Sequence, residues 1–272
     1  MLKQRVITAV VLLLVFAAVL FVLPAFAWWL FLTLVAAIGA WEWARLAKVE
    51  IPSLRIAYAA VVALLVALLL WLPGSLVIAQ VAALAGLCFW IFATLRIVTA
   101  PVLTLAANKA DRTLLITGAF VLAVTTLCLD ALRFHAPGHS VSLLLYAMAL
   151  VWVMDIGAYF SGKRFGKHKL APLVSPGKTR EGVVGGAVAA AVMVVLALLV
   201  SARFREDALL FLLASVLAAL VSVVGDLYES RLKRASDIKD SSQILPGHGG
   251  VLDRIDGVVA AIPVFLALWI WA

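Results

Sequence analysis

Long apolar runs alternate with short polar breaks from one end of the chain to the other. They fall at residues 6–23, 26–44, 56–72, 75–95, 113–131, 142–161, 183–201, 208–226 and 257–271. A helix needs about 20 mostly apolar residues to cross the hydrocarbon core, within a range of roughly 17–25. In lipid a helix satisfies its own backbone, which an open strand cannot do. The pattern therefore predicts an all-α, polytopic integral membrane protein with about nine transmembrane helices. The last run is short for a span, so eight spans and a re-entrant segment is the other arrangement the pattern allows. Tight connections at Pro24 and at Pro73-Gly74 read as helical hairpins.

Charge sets the expected orientation. With the N-terminus inside, all of the 22 lysines and arginines except Arg133, Arg203 and Arg205 fall in inner segments. That asymmetry follows the positive-inside rule. It predicts a cytoplasmic N-terminus, an external C-terminus and a multi-pass protein of the cell's inner, cytoplasmic membrane. The net charge of +8 then calls for no nucleic acid. The cations run along membrane edges instead of covering one soluble face, where they also attract the anionic headgroups of the lipid bilayer. Hydrophobic residues make up 66% of the chain, against roughly 45–50% in a soluble domain. Cys88 and Cys128 lie in apolar runs without metal spacing and read as small buried hydrophobes, not a disulfide. Lys3, Arg5, the first apolar run and Ala25-Phe26-Ala27 imitate a signal peptide, but the run exceeds the usual h-region of about 7–15 residues, so an uncleaved span is expected.

Residues 1–140, with about five helices, read as a scaffold. Trp28, Trp29, Trp41 and Trp43 stand near span ends, where interfacial aromatics belong. Glu42 is placed to pair with Arg45. The inner connection 96–112, with Asn108, Lys109, Asp111 and Arg112, is expected along the membrane surface. His135 and His139 flank Pro137-Gly138 and fit a turn better than a metal site.

Residues 141–272 have a different character, with polar inner loops at 162–182 and 226–256. Asp155 lies inside an apolar run, one turn before Tyr159. An ionisable residue in a span is costly and marks a candidate site. The first loop contains Gly162-Lys163-Arg164-Phe165-Gly166-Lys167-His168-Lys169 and then Ser175-Pro176-Gly177-Lys178-Thr179-Arg180-Glu181-Gly182. Gly-Lys-Thr invites a P-loop reading, but Pro172 and Leu173 stand where its leading glycine belongs and no strand is expected before it. What remains is a cationic, glycine-rich loop leading into a helix, suited to phosphate. Gly182 and Gly186 form a small-xxx-small pair for helix packing.

The second loop concentrates the chemistry. One helix is expected to continue past residue 226 and carry Asp226, Glu229, Ser230, Lys233 and Arg234. Asp226 with Ser230, and Glu229 with Lys233, are i,i+4 neighbours; the bland reading of the second is a surface pair. Asp253 and Asp256 share a face at the start of the last helix, at its positive end. Pro246, Gly247, Gly249 and Gly250 precede them, and their backbone N–H groups suit an anion-binding nest. Asp226, Asp253 and Asp256 beside Lys233, Arg234, Lys239 and Arg254 suit a divalent metal and a polyphosphate. Oxygen ligands favour Mg²⁺, which takes one or two carboxylates together with substrate phosphates. His248 suits a base or a phosphate donor, or a neutral loop histidine.

The stretch Ser230-x-Leu232-Lys233-Arg234, then Lys239-Asp240-x-Ser242, then Leu245-Pro246-x-His248-Gly249-Gly250-Val251-x-Asp253-Arg254-Ile255-Asp256 resembles the signature of the phosphatidate cytidylyltransferase family, without departure at its fixed positions. The resemblance is strongest over Asp155–Asp256. It implies an Mg²⁺-dependent enzyme that condenses CTP with phosphatidic acid into CDP-diacylglycerol and pyrophosphate. It implies Asp226, Asp253 and Asp256 as metal ligands, with Lys233, Arg234, Lys239, Arg254 and His248 in the catalytic set. Asp155, Tyr159, Ser175, Lys178, Thr179, Glu181, Glu229, Ser230, Asp240, Gly249 and Gly250 would serve substrate binding. It leaves room for a second, monovalent cation such as K⁺ and for a homodimer. A CDP-alcohol phosphatidyltransferase would want Asp-Gly-x-x-Ala-Arg, whereas Asp256-Gly257 is followed by Val-Val-Ala-Ala. A CTP-dependent lipid kinase stays open. A transporter of anionic lipid would want charges at mid-membrane, and here they lie at the inner edge.

Overall fold

The computed structural model describes residues 2–72, 75–100, 102–103, 110–136 and 140–271. The long helices are α1 (Leu2–Phe21), α2 (Ala25–Leu46), α3 (Pro52–Trp71), α4 (Ser75–Thr99), α5 (Arg112–Phe134), α6 (Val141–Phe165), α7 (Arg180–Val200), α9 (Ala208–Ala235) and α10 (Leu252–Trp269). A short α8 (Ala202–Glu206) joins α7 to α9, and strands β1 (Lys169–Ala171) and β2 (Ser175–Thr179) stand between α6 and α7. Each expected apolar run coincides with one long helix. Pro73-Gly74, Asn108, Lys109 and the Pro137-Gly138-His139 turn lie outside the described residues, as do the side chains of Lys3 and Arg5.

By length and composition, α2, α3, α4, α5, α6, α7 and α9 can each cross a membrane, and α1 adds a shorter apolar stretch, Val6–Phe21. α10 differs because Asp253, Arg254 and Asp256 stand within its 18 residues. At 1.5 Å per residue it rises about 27 Å, close to the roughly 30 Å hydrocarbon core.

α10 is the axis of the bundle. It packs along α9 and touches α2, α4, α5 and α6, and Gly257 through Ala267 are all buried. Its Pro263 removes the N–H that would bond the Val259 carbonyl one turn back. Trp90 Nε1 at 3.1 Å and Thr125 Oγ1 at 3.2 Å donate to that carbonyl instead. Gly86 makes room for the proline ring, since a Cβ there would come within 2.6 Å of Pro263. Neighbouring helices thus repair the gap, as a proline in a lipid-buried helix requires.

Hydrogen bonds join the C-terminal end of α2 to the start of α5 and to the C-terminal end of α9. Asp111 N bonds Ala47 O at 2.9 Å, and Ser236 Oγ donates to Leu46 O. This is the polar end of the bundle, and both charged loops lie on it.

Three expectations need correction. Trp28 and Trp43 are buried and serve the bundle instead of a lipid interface. Trp43 Nε1 donates to Leu114 O at 2.8 Å, over a space that Gly118 leaves open. Cys88 is exposed and only Cys128 is buried; both are free thiols. The expected irregular loop 162–182 contains an antiparallel hairpin, with Lys169 opposite Thr179 and Ala171 opposite Ser175.

Candidate active site

Glycines bring the carboxylates of three helices to one level. A Cβ on Gly257 would approach Val151 at 2.9 Å and Ser222 at 3.4 Å, so α10 begins in close contact with α6 and α9. Gly225 likewise leaves room for the Asp256 carbonyl. One turn beyond Val151 stands Asp155, one turn beyond Ser222 stands Asp226, and Asp256 directly precedes Gly257. Asp226 is held on two sides, by Lys178 Nζ at 2.7 Å and by Ser230 Oγ, which donates at 3.2 Å. Asp256 accepts from Gly257 N at 2.7 Å. Burial pushes the Asp256 carboxyl above the ordinary carboxylate range, and the charges of Asp226 and Asp155 push it further. Like charges forced together raise the cost of ionising each.

Asp253 plays another part. Lys233 Nζ donates to its Oδ1 at 2.7 Å. Its Oδ2 accepts from Gly250 N at 2.8 Å, Ser241 Oγ at 2.9 Å and Ser241 N at 3.0 Å. Burial works to raise this carboxyl, but Lys233 and the loop amides hold it below its ordinary value. Both oxygens are spent within the protein. Glu229 lies 3.4 Å from Lys233 and is buried, so this is an interior pair and not a surface one. Glu229 also meets the Asp256 carboxyl, side chain to side chain.

Among the described residues no group of three His, Cys, Asp or Glu side chains converges to cage a metal ion. The expected triad of Asp226, Asp253 and Asp256 is therefore not a preformed cage, because Asp253 is committed to Lys233 and the loop. Asp226 is itself engaged by Lys178 and Ser230, but an Asp226–Asp256 pair fits Mg²⁺, which needs only one or two carboxylates when phosphates complete its shell. Asp155, Asp226, Glu229, Asp253 and Asp256 outnumber Lys178, Lys233 and Arg254 here. The centre has an excess of acid that a cation would relieve.

The hairpin delivers Lys178. Thr179 caps α7, accepting from Gly182 N at 3.1 Å. The Glu181 carboxylate accepts from Lys167 N at 3.0 Å and meets His168 Nδ1 at 2.6 Å. Thr179 and Glu181, expected at the substrate, fix the base of the hairpin, whose Lys178 reaches Asp226. Ser175 begins β2, and Tyr159, 62% exposed, lies under Lys163 Nζ at 6.0 Å. Gly182 and Gly186 pack on Ala158 and Met154 of α6, as the small-xxx-small spacing predicts.

In the signature loop, Gly247 and Gly249 take positive φ of 75° and 83°. That lets the chain fold back so that Leu245 N bonds Gly249 O at 2.9 Å. Lys239, Asp240 and Arg254 are exposed at the polar end. Arg234 reaches Val174 O of the hairpin at 3.4 Å. His248 leaves its Nδ1 buried without a partner. The expected backbone nest exists, but the protein's own carboxylates fill it. Gly250 N is bound by Asp253, while Val251 N and Leu252 N donate to Glu42 at 2.9 and 2.7 Å. Glu42 does not pair with Arg45, which instead donates to Ser241 O at 3.1 Å. The sequence pattern pairs these two residues with each other and does not reveal their hold on the loop. The signal was there, since Glu42 is an ionisable residue inside an apolar run, as Asp155 is.

Fold and site together define a multi-pass membrane protein with a carboxylate and lysine centre at one end of its bundle, suited to a metal and phosphates. A profile of the cytidylyltransferase family matches residues 3–271, and the chain belongs to that family. A phosphatidate cytidylyltransferase of Pseudomonas aeruginosa is 48% identical over 272 residues, covering 100% of this chain and 98% of that protein. One from Haemophilus influenzae is 39% identical over 288 aligned positions, covering 97% of each. One from Staphylococcus aureus is 44% identical over 127 residues, covering 47% of this chain and 48% of its own.

Proposed function

We infer that the protein joins CTP to phosphatidic acid, releasing pyrophosphate and leaving CDP-diacylglycerol in the membrane. Membership of the cytidylyltransferase family supports the reaction class. The observation that carries the reading is the Lys178–Asp226 contact at 2.7 Å, with Asp256 beside it, at the end of an apolar helix bundle. Phosphate-binding cations and metal-binding acids meet there at headgroup height. The distribution of Lys and Arg supports a cytoplasmic position for this end, where CTP arrives from water and the lipid enters sideways.

A phosphate monoester is already anionic at neutral pH, its second pKa being near 6, so the attacking oxygen needs no strong base. That oxygen forms a bond to the α-phosphorus of CTP while the α–β phosphoanhydride bond breaks, its electron pair leaving with pyrophosphate. Positioning and charge neutralisation dominate such a transfer. Lys178 and Arg254 face the acids and are placed to take the phosphates. Arg234 and Lys239 extend the cationic rim, and Lys233 keeps Asp253 and Glu229 in place. Asp226 and Asp256 would hold Mg²⁺, which when bound neutralises charge on the triphosphate.

Purified protein with phosphatidic acid, Mg²⁺ and α-³²P-labelled CTP tests the reading. Label should enter the lipid as pyrophosphate appears, and chelation should stop the reaction until Mg²⁺ is returned. Label entering lipid only from γ-³²P-CTP would identify a kinase instead. Full turnover without a divalent ion would remove the metal from the account.

A further inference from the structure

The last turn of α2, in the half that reads as scaffold, grips both arms of the signature loop. Glu42 is fully buried. Its Oε1 accepts from Ser242 Oγ at 2.6 Å and Val251 N at 2.9 Å, its Oε2 accepts from Leu252 N at 2.7 Å, and Ser241 Oγ lies 3.3 Å from Oε2. Arg45 holds the same loop through Ser241 O, and Leu46 O accepts from Ser236 Oγ. A Cβ at Gly250 would collide with Glu42 Oε1 and Ser241 Oγ, so a side chain there would displace these contacts.

The bonds converge on one place. Ser241 Oγ lies between Glu42 Oε2 and Asp253 Oδ2, within hydrogen-bonding distance of both. Val251 and Leu252 immediately precede Asp253. Their N–H groups belong to the free donors at the start of α10, and a carboxylate at that positive end is favoured. A carboxylate of α2 thus takes the part a local capping side chain plays elsewhere, and Val251 itself supplies no cap.

We propose that Glu42 is a positioning residue for the reaction. It fixes residues 241–252 and the first turn of α10, so that Asp253 holds Lys233 and Asp256 stands against Asp226. The proposal rests on the nucleotidyl-transfer reading, so its test has one arm that does not measure turnover.

Glu42→Gln keeps the shape but turns two accepting positions into a donor amide. Glu42→Asp keeps the charge on a shorter arm. In the membrane-reconstituted protein, Glu42→Gln should speed hydrogen exchange at Val251 and Leu252, with the change confined to the loop and the start of α10. Its kcat should fall roughly a hundredfold, the scale of a small misplacement of reacting groups, with a smaller change in KM for CTP. Glu42→Asp should recover part of that loss. Asp130→Asn, at the opposite end of the bundle, is the control for loss of stability alone and should keep wild-type kcat. Wild-type kcat in Glu42→Gln, or unchanged exchange at Val251 and Leu252, overturns the proposal. So does a kcat loss that Asp130→Asn matches. If Glu42→Gln does not insert, Glu42→Asp carries the same readouts. If the wild-type protein makes no CDP-lipid, the functional reading falls while the exchange arm still decides whether the clamp exists.

Discussion

Both ends of the bundle bury charge, and they settle it differently. At the end away from the loops, Asp130 accepts from Trp29 Nε1 at 3.0 Å and faces His135 at 3.5 Å. Arg133 lies between Trp28 and Phe134, 4.9 and 4.8 Å from their ring centres, and donates to Leu20 O at 3.1 Å. One acid is answered by neighbouring donors and a cation, and the arrangement ties α1, α2 and α5 together. At the polar end, acids from α6, α9 and α10 crowd one another, with Glu229 against both Asp256 and Lys233. Like charges held close together work against stability, and perturbed groups gathered in this way mark functional sites. The first cluster is answered mostly within the fold, although Arg133 Nη1 keeps no hydrogen bond, whereas the second carries an excess of acid that a cation would relieve.

That contrast can be broken by substitution. The largest effect should come from Asp256→Asn, which removes one carboxylate of the close pair. Turnover should drop by about a thousandfold, the upper range for losing one electrostatic group at a reacting centre, while the protein stays folded in the membrane. Near-normal turnover would move the centre elsewhere. Lys178→Met should cost less, roughly a hundredfold in kcat/KM for CTP, because other cations still line the rim. An unchanged kcat/KM would reduce Lys178 to a structural partner of Asp226. Asp130→Asn should be the mildest for function, lowering stability by about 1–3 kcal/mol through its unmet donors without altering kcat. A large loss of turnover there would erase the distinction between the two ends.

Local sequence carried some of this and not the rest. The helices were legible because each apolar run is continuous and bounded by charge or proline. The Asp226–Ser230 contact was legible because i,i+4 neighbours meet on any helix. The contacts that Thr179 and Glu181 make within the protein were not legible, since a cap and a phosphate loop draw on the same residue types. The hairpin escaped because its strands are only 3 and 5 residues long, too short for an alternating pattern to emerge from Lys, Pro and Gly. Glu42 was paired with its near neighbour Arg45, although its true partners lie about 200 positions away, at Ser241 and Ser242.

The sequence alone determined that the chain lives in a membrane, that its charge gathers on one side, and which residue types are available for chemistry there. Those properties depend on composition and on spacing within single helices. Only the tertiary structure decided that Asp256 stands with Asp226, that Asp253 is spent on Lys233 and the loop, and that α2 supplies the carboxylate anchoring them. Choices of that kind turn on distances of about 3 Å between atoms carried by helices far apart along the chain, and on whether a donor has already been claimed by another acceptor. No short-range pattern records either fact.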